Sequence, residues 1–323
     1  MALHPVIAQM FARMAEAGRP AICAGSAADA RALVASSRAA LGAGPALHEV
    51  RELRIPTRSG SIGARLYRPT ARADALAVYF HGGGWVVGEL DDYDTMARSL
   101  AARSGCALLA PDYRLAPEHR FPAGLQDAQD AILWACGRIA ELAGSEVPLL
   151  VAGDSAGANL AAVSLNTMTP RPPVAGQLLI YPVADCDFER PSYREQSDGM
   201  QLTRQDMQWF FSHYAPPELH ADPRVSPLRA PADPGLPRTV VFTAECDVLR
   251  DEGEAYAAHL QAAGVPVTSR RITGLPHGFI RLHNLVDAAD AALTDIATEL
   301  AGLARPAAPA GRSSLSPTRE RSE

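Results

Sequence analysis

Gly153-Asp154-Ser155-Ala156-Gly157 sets a serine between two glycines in the pattern G-x-S-x-G. A serine hydroxyl is a weak nucleophile on its own. It becomes useful for acyl transfer when a base takes its proton and a third group holds that base in place. The spacing also has a mechanical reason. Small neighbours let the chain turn sharply from a strand into a helix and leave the serine exposed at the apex. The flanks fit that reading, because VPLLVAG (147–153) is a short apolar run and SAGANLAAVSLNTM (155–168) has helical character.

The base must be a histidine, and the chain has nine. His277, in GLPHGF, follows the last apolar run that reads as a strand, VPVTSRRIT. Asp247 closes PRTVVFTAECD (237–247). Both therefore fall at carboxyl ends of strands, where open α/β sheets gather their ligands. Asp247 also reads as an N-cap for the next helix, a common use of aspartate. Asp251 is the rival carboxylate, but it lies within LRDEGEAY, where that helix begins.

A second constellation complements the serine. In AVYFHGGGWVVG (77–88) three glycines follow an apolar run. Attack on an acyl carbon puts negative charge on the carbonyl oxygen, which needs hydrogen-bond donors already aimed at it. Backbone N–H groups serve, provided no side chain blocks the approach. The expected donors are the amides of Gly83, Gly84 and Ala156. His81 reads as a hydrogen-bonding residue that shapes the loop.

These residues need a frame. HEVRELRI and SIGARLYRP alternate around a turn and predict an antiparallel pair. ALAVYF, CALLAPDY, VPLLVAG, GQLLIYPV, PRTVVFTAECD and VPVTSRRIT read as further strands separated by helical segments. One of these is a single predicted helix over 123–142. Such alternation implies a mostly parallel sheet covered on both faces, with the first two strands as exceptions. Residues 186–236 interrupt it as an insertion, in which Met207, Phe210, Phe211 and Tyr214 share a helical face. Near the start, Leu3, Val6, Ile7, Met10, Phe11 and Met14 recur at helical spacing. The segment 305–323 is proline, serine and charge without period, and is expected to be a disordered tail.

Composition removes other chemistries. All thirty basic residues are arginine. The absence of lysine excludes Schiff-base, P-loop and Ser-Lys mechanisms. A net charge of −6 gives no clustered cations for nucleic acid. Five scattered cysteines fit free thiols in a reducing cytoplasm. No apolar stretch reaches the roughly 18 residues of a membrane span, so no stable membrane insertion is expected.

HGGGW, YRLAPEHRFPA (113–123), GDSAG, ECDVLRDE (245–252) and HGF (277–279) occur in that order. Together they resemble the hormone-sensitive-lipase-like, GDSAG-type bacterial esterases of the α/β-hydrolase superfamily. The order Ser155, Asp247, His277 is also the triad order of that fold. The resemblance covers about residues 50–300. It implies an eight-stranded sheet and a helical cap made from residues 1–45 and the insertion at about 186–236, over a catalytic domain spanning 46–304. It further implies hydrolysis of short- to medium-chain acyl esters with no metal or organic cofactor. Ser155, Asp247 and His277 become the catalytic residues, and Gly83, Gly84 and Ala156 the oxyanion hole. The partner is then a small-molecule ester, with a homodimer left open. An amidase or deacetylase on the same triad, or a non-catalytic small-molecule receptor, are the alternatives.

Other residues are expected to be structural. Arg114 and Glu118 read as a pair bracing the active-site loops. Asp154 and Glu252 read as supporting or capping carboxylates, and Asp91-Asp92 as a helix start. Trp85, Trp209, Phe210 and Phe211 are candidates to line the acyl or alcohol pocket, with core packing an equal reading for Trp209.

Overall fold

The computed structural model describes residues 2–196 and 200–305. The apolar runs become strands wherever both faces can be covered. These are β1 (Glu49–Thr57), β2 (Gly60–Arg68), β3 (Leu76–Phe80), β4 (Ala107–Pro111), β5 (Leu149–Asp154), β6 (Gly176–Ile180), β7 (Arg238–Cys246) and β8 (Val267–Pro276). They form one sheet in the order β1-β2-β4-β3-β5-β6-β7-β8. Every residue of β3, β4, β5 and β6 is buried, as expected of strands sandwiched between helices. β2 pairs antiparallel with both neighbours, so it alone runs against the sheet. The sequence pattern had set both of the first two strands apart.

Two apolar cores lie on opposite faces. Helices Ala123–Cys136, Ala156–Thr167 and Arg250–Ala262 fill one through Leu125, Ile132, Leu160, Tyr256 and Leu260. Helices Leu90–Ser104 and Asp287–Leu303 fill the other through Met96, Leu100, Leu293, Ile296 and Leu300. The single helix expected over 123–142 is two, Ala123–Cys136 and Ile139–Ala143, parted at Gly137-Arg138. The N-terminal helix, Pro5–Glu16, buries Ile7 and packs Met10 and Phe11 on the second core, joined by Leu3 just ahead of it. Val6 points outward instead and is 49% exposed.

The insertion carries the helix Arg204–Tyr214. Thr203 and Asp206 cap it reciprocally, and Met207, Phe210, Phe211 and Tyr214 are all buried. Residues 306–323, most of the segment expected to be a tail, lie outside the described residues.

For function, the decisive feature is where the strand order reverses. β3 sits between β4 and β5, so the chain crosses one way after β3 and back past it to reach β5. A crevice opens beyond the carboxyl ends of strands at such a switch point. Phe80 and Gly153 are register partners there, which brings HGGGW and GDSAG side by side.

Candidate active site

Close backbone contact forces the turn at Ser155. A Cβ on Gly157 would lie 2.0 Å from the Phe80 carbonyl oxygen, and one on Gly153 would lie 2.5 Å from the Gly157 backbone. Ser155 takes φ 54° and ψ −121°, a sparsely populated conformation for a residue with a side chain. Such strain costs about 1–3 kcal/mol and persists only when the surroundings enforce it. They do so here: Ser155 N–H donates to the Ile180 carbonyl at 2.8 Å, and Asn159 N–H donates to the Ser155 carbonyl at 3.0 Å.

His277 follows β8 and Asp247 follows β7, on the same rim. His277 Nε2 is 2.9 Å from Ser155 Oγ, and His277 Nδ1 is 2.7 Å from Asp247 Oδ2. With Nδ1–H donating to the carboxylate, Nε2 turns its lone pair toward the Ser155 hydroxyl. Asp247 is 1% exposed, and its other oxygen accepts from Leu249 N–H at 3.0 Å. That bond closes a turn ahead of the helix Arg250–Ala262, whose N-cap is Leu249 with no side-chain cap, so the N-cap role expected of Asp247 is not found. Asp251 is engaged elsewhere, accepting from Ser192 N–H and from Arg250 Nε. The Tyr181 ring flanks the imidazole, its centroid 4.5 Å from that of His277.

Across from Ser155 runs the glycine loop. The peptide plane ties each N–H to the carbonyl of the preceding residue, pointing the opposite way. The Gly82 carbonyl accepts from His81 Nδ1 at 2.7 Å, and the Gly83 carbonyl accepts from Val86 and Val87 N–H at 3.1 and 2.9 Å. These contacts fix the directions of the Gly83 and Gly84 amides. Neither amide, nor that of Ala156, donates a hydrogen bond to the described residues. Ala156 also opens the helix Ala156–Thr167, whose N-terminal dipole favours negative charge. Gly84 has φ 58°, and a Cβ there would lie 2.2 Å from the Phe210 ring. Glycine is thus required twice over at that position. Burial lowers the His81 pKa to about 4, so this imidazole is neutral and serves the loop.

Asp154 is 3% exposed and accepts at Oδ1 from the Tyr79 hydroxyl (2.8 Å) and Gly82 N–H (2.9 Å). Burial raises its pKa to about 6, against the lowering effect of those two bonds. Burial also pushes Glu252 up to about 8. Glu252 accepts from the amides of Ala184 and Asp185 and from the Tyr193 hydroxyl, so it roots the insertion beside the Asp247 loop.

Several expectations need correction. Arg114 does not pair with Glu118; it grips buried Asp127, with Nε to Oδ2 at 2.8 Å. Glu118 pairs instead with Arg31 of the N-terminal segment. Arg31 also donates to the carbonyls of Val86 and Ala116, tying that segment to the glycine loop. The reading of the sequence missed Arg31, because nothing local marks a contact 85 residues away. Trp85 and Phe211 do not face a pocket. Trp85 stacks on Tyr214 at 4.1 Å and is 1% exposed, while Phe211 meets its edge. Phe210 covers the glycine loop, and Trp209 is partly buried against the first core. Asp92 joins a capping box with Glu89 and pairs with Arg38, while Asp91 pairs with Arg65. Among the described residues no helix is long and apolar enough to cross a membrane. No group of three or more acidic, histidine or cysteine side chains there is placed to hold a metal ion.

The sequence pattern of the family described as having the alpha/beta hydrolase fold matches residues 77–281. This chain belongs to the α/β-hydrolase family. It is 38% identical over 316 residues to an ethyl acetate hydrolase of Pseudomonas putida, covering 93% of this chain and 99% of that one. It is 40% identical over 254 residues to the carboxylic ester hydrolase LipN of Mycobacterium tuberculosis, covering 75% of this chain and 67% of the relative. A solved hyperthermophilic esterase from Pyrobaculum calidifontis superposes with a TM-score of 0.87 at 36% identity, covering 94% of this chain and 99% of that one. The motif resemblance and these comparisons agree on hormone-sensitive-lipase-like esterase kinship.

Proposed function

We propose that this α/β-hydrolase is a serine carboxylesterase acting on short- to medium-chain acyl esters. The observation that carries the reading is the continuous hydrogen-bonded path from Ser155 Oγ through His277 to Asp247, facing three amides that donate to none of the described residues. Ser155 attacks the ester carbonyl as His277 Nε2 takes its proton. Asp247 holds the imidazole tautomer and stabilises the imidazolium. The amides of Gly83, Gly84 and Ala156 receive the oxyanion. The alcohol leaves with the proton from His277, and water activated by the same nitrogen releases the acid.

Residues 1–45 and about 186–236 form the cap over this site. The bond from Arg31 Nε to the Val86 carbonyl and Phe210 over Gly84 support that assignment, since both segments rest on the stretch 77–88. The relatives named above are ester hydrolases, which favours esters over amides. The enzyme works in the cytoplasm, a reading that rests on its five free thiols.

Ser155→Ala tests the mechanism. It should leave the circular dichroism spectrum unchanged and abolish turnover of p-nitrophenyl butyrate. A folded Ser155→Ala protein with wild-type turnover would reject it.

A further inference from the structure

The glycine run has to be held at a set distance from Ser155 as well as in the right shape. His81, Val86 and Val87 shape the loop from within it. Among the described residues, the Asp154–Gly82 bond is the hydrogen bond that joins residues 82–84 to the nucleophile turn. The two sides also touch there. A Cβ on Gly82 would lie 2.5 Å from Asp154 Oδ2 and 3.1 Å from Ser155 Cβ. A buried carboxylate is a costly way to satisfy one amide and one hydroxyl, because desolvation opposes its charge. Its charge-assisted bonds, however, are about twice as strong as neutral ones.

We propose that Asp154 is a positioning residue: through Oδ1 it clamps Gly82 N–H and the Tyr79 hydroxyl, and so sets the distance between Ser155 and the oxyanion donors. The proposal rests on the esterase reading above. Asp154 precedes Ser155, and Gly82 precedes Gly83. One side chain therefore couples the attacking atom to the first donor. Its contribution belongs to the transition state, when the oxygen carries charge, and not to the resting ester.

The test uses the full chain and p-nitrophenyl butyrate. Asp154→Ala should lower kcat on the order of 10- to 100-fold, less than deleting a donor outright, while KM stays within about threefold. Affinity for butylboronic acid, whose serine adduct places a charged oxygen among the donors, should fall by the same factor as kcat. Asp154→Asn should recover most of the loss, because its amide oxygen accepts the same two bonds. If Asp154→Ala does not fold, the amide resonance of Gly82 in 15N-glycine-labelled protein supplies the reading. It should lie downfield in wild type and move upfield in Asp154→Asn as the acceptor loses its charge. The proposal is overturned by a folded Asp154→Ala with wild-type kcat, by a loss carried in KM, by Asp154→Asn as impaired as Asp154→Ala, or by an unmoved Gly82 resonance. Turnover by Ser155→Ala would sink the esterase reading itself. An inactive Ser155→Ala beside a fully active Asp154→Ala would sink only the clamp.

Discussion

The two sides of the site are built by different means. On the Ser155 side, β5 and the following helix press their backbones against the end of β3, and glycines at 153, 157 and 82 leave no room for a Cβ. On the acid side, the loop after β7 and the root of the insertion are stitched by polar side chains. Glu252 holds Ala184, Asp185 and Tyr193; Ser192 donates to the Val248 carbonyl; Arg250 meets Glu195. Close backbone contact makes one side intolerant of added atoms. Side-chain stitching makes the other sensitive to charge and pH.

The difference also explains what was legible in the sequence. Backbone contact requires glycine, so G-x-S-x-G and HGGGW stand out in the chain. Alternating apolar runs likewise exposed the parallel sheet, because strands buried on both faces must be apolar throughout. Pairings between charged side chains leave no such mark. Arg114 with Asp127, and Arg31 with Glu118, depend on which surfaces the fold brings together, and the nearest plausible partner in sequence was the wrong one. The direction of β1 and the break at Gly137-Arg138 were hidden for a related reason. Strand polarity and helix ends are set by the connections and packing around them, and residue type alone does not reveal them.

Several substitutions would break or sharpen this contrast. The largest effect should come from Asp247→Asn, which leaves the fold in place and lowers kcat about 10⁴-fold by removing the carboxylate that fixes the His277 tautomer; steady-state kinetics with p-nitrophenyl butyrate measure it. Gly157→Ala should destabilise the protein by roughly 3 kcal/mol or more, because backbone must move to admit the methyl group. Urea unfolding followed by circular dichroism reads that loss, and a stability equal to wild type would contradict the packed-backbone account. Asp127→Ala should cost about 2–3 kcal/mol in the same assay, since Arg114 loses its buried partner.

Glu252 gives a pH test. Its folded-state pKa of about 8 lies above the ordinary 4.5. The folded chain thus holds this proton more tightly than the unfolded one. The stabilisation is complete below the unfolded value and is lost as pH rises through about 8. Glu252→Gln should therefore melt roughly 5 °C higher than wild type at pH 9, with the gap closing at pH 5. A gap that widened on acidification would reverse the assigned sign. The smallest change belongs to Glu118→Ala. Its pair with Arg31 is half exposed, at 53% for the glutamate side chain, so the cost should stay within about 1 kcal/mol.

One covalent bond carries the account. Protein quenched within the first turnover of p-nitrophenyl butyrate, digested and sequenced by mass spectrometry, should carry a butyryl group on Ser155. The p-nitrophenol released in that burst should amount to about one equivalent per chain. A butyryl group on any other residue, or a burst with Ser155 unmodified, would contradict it.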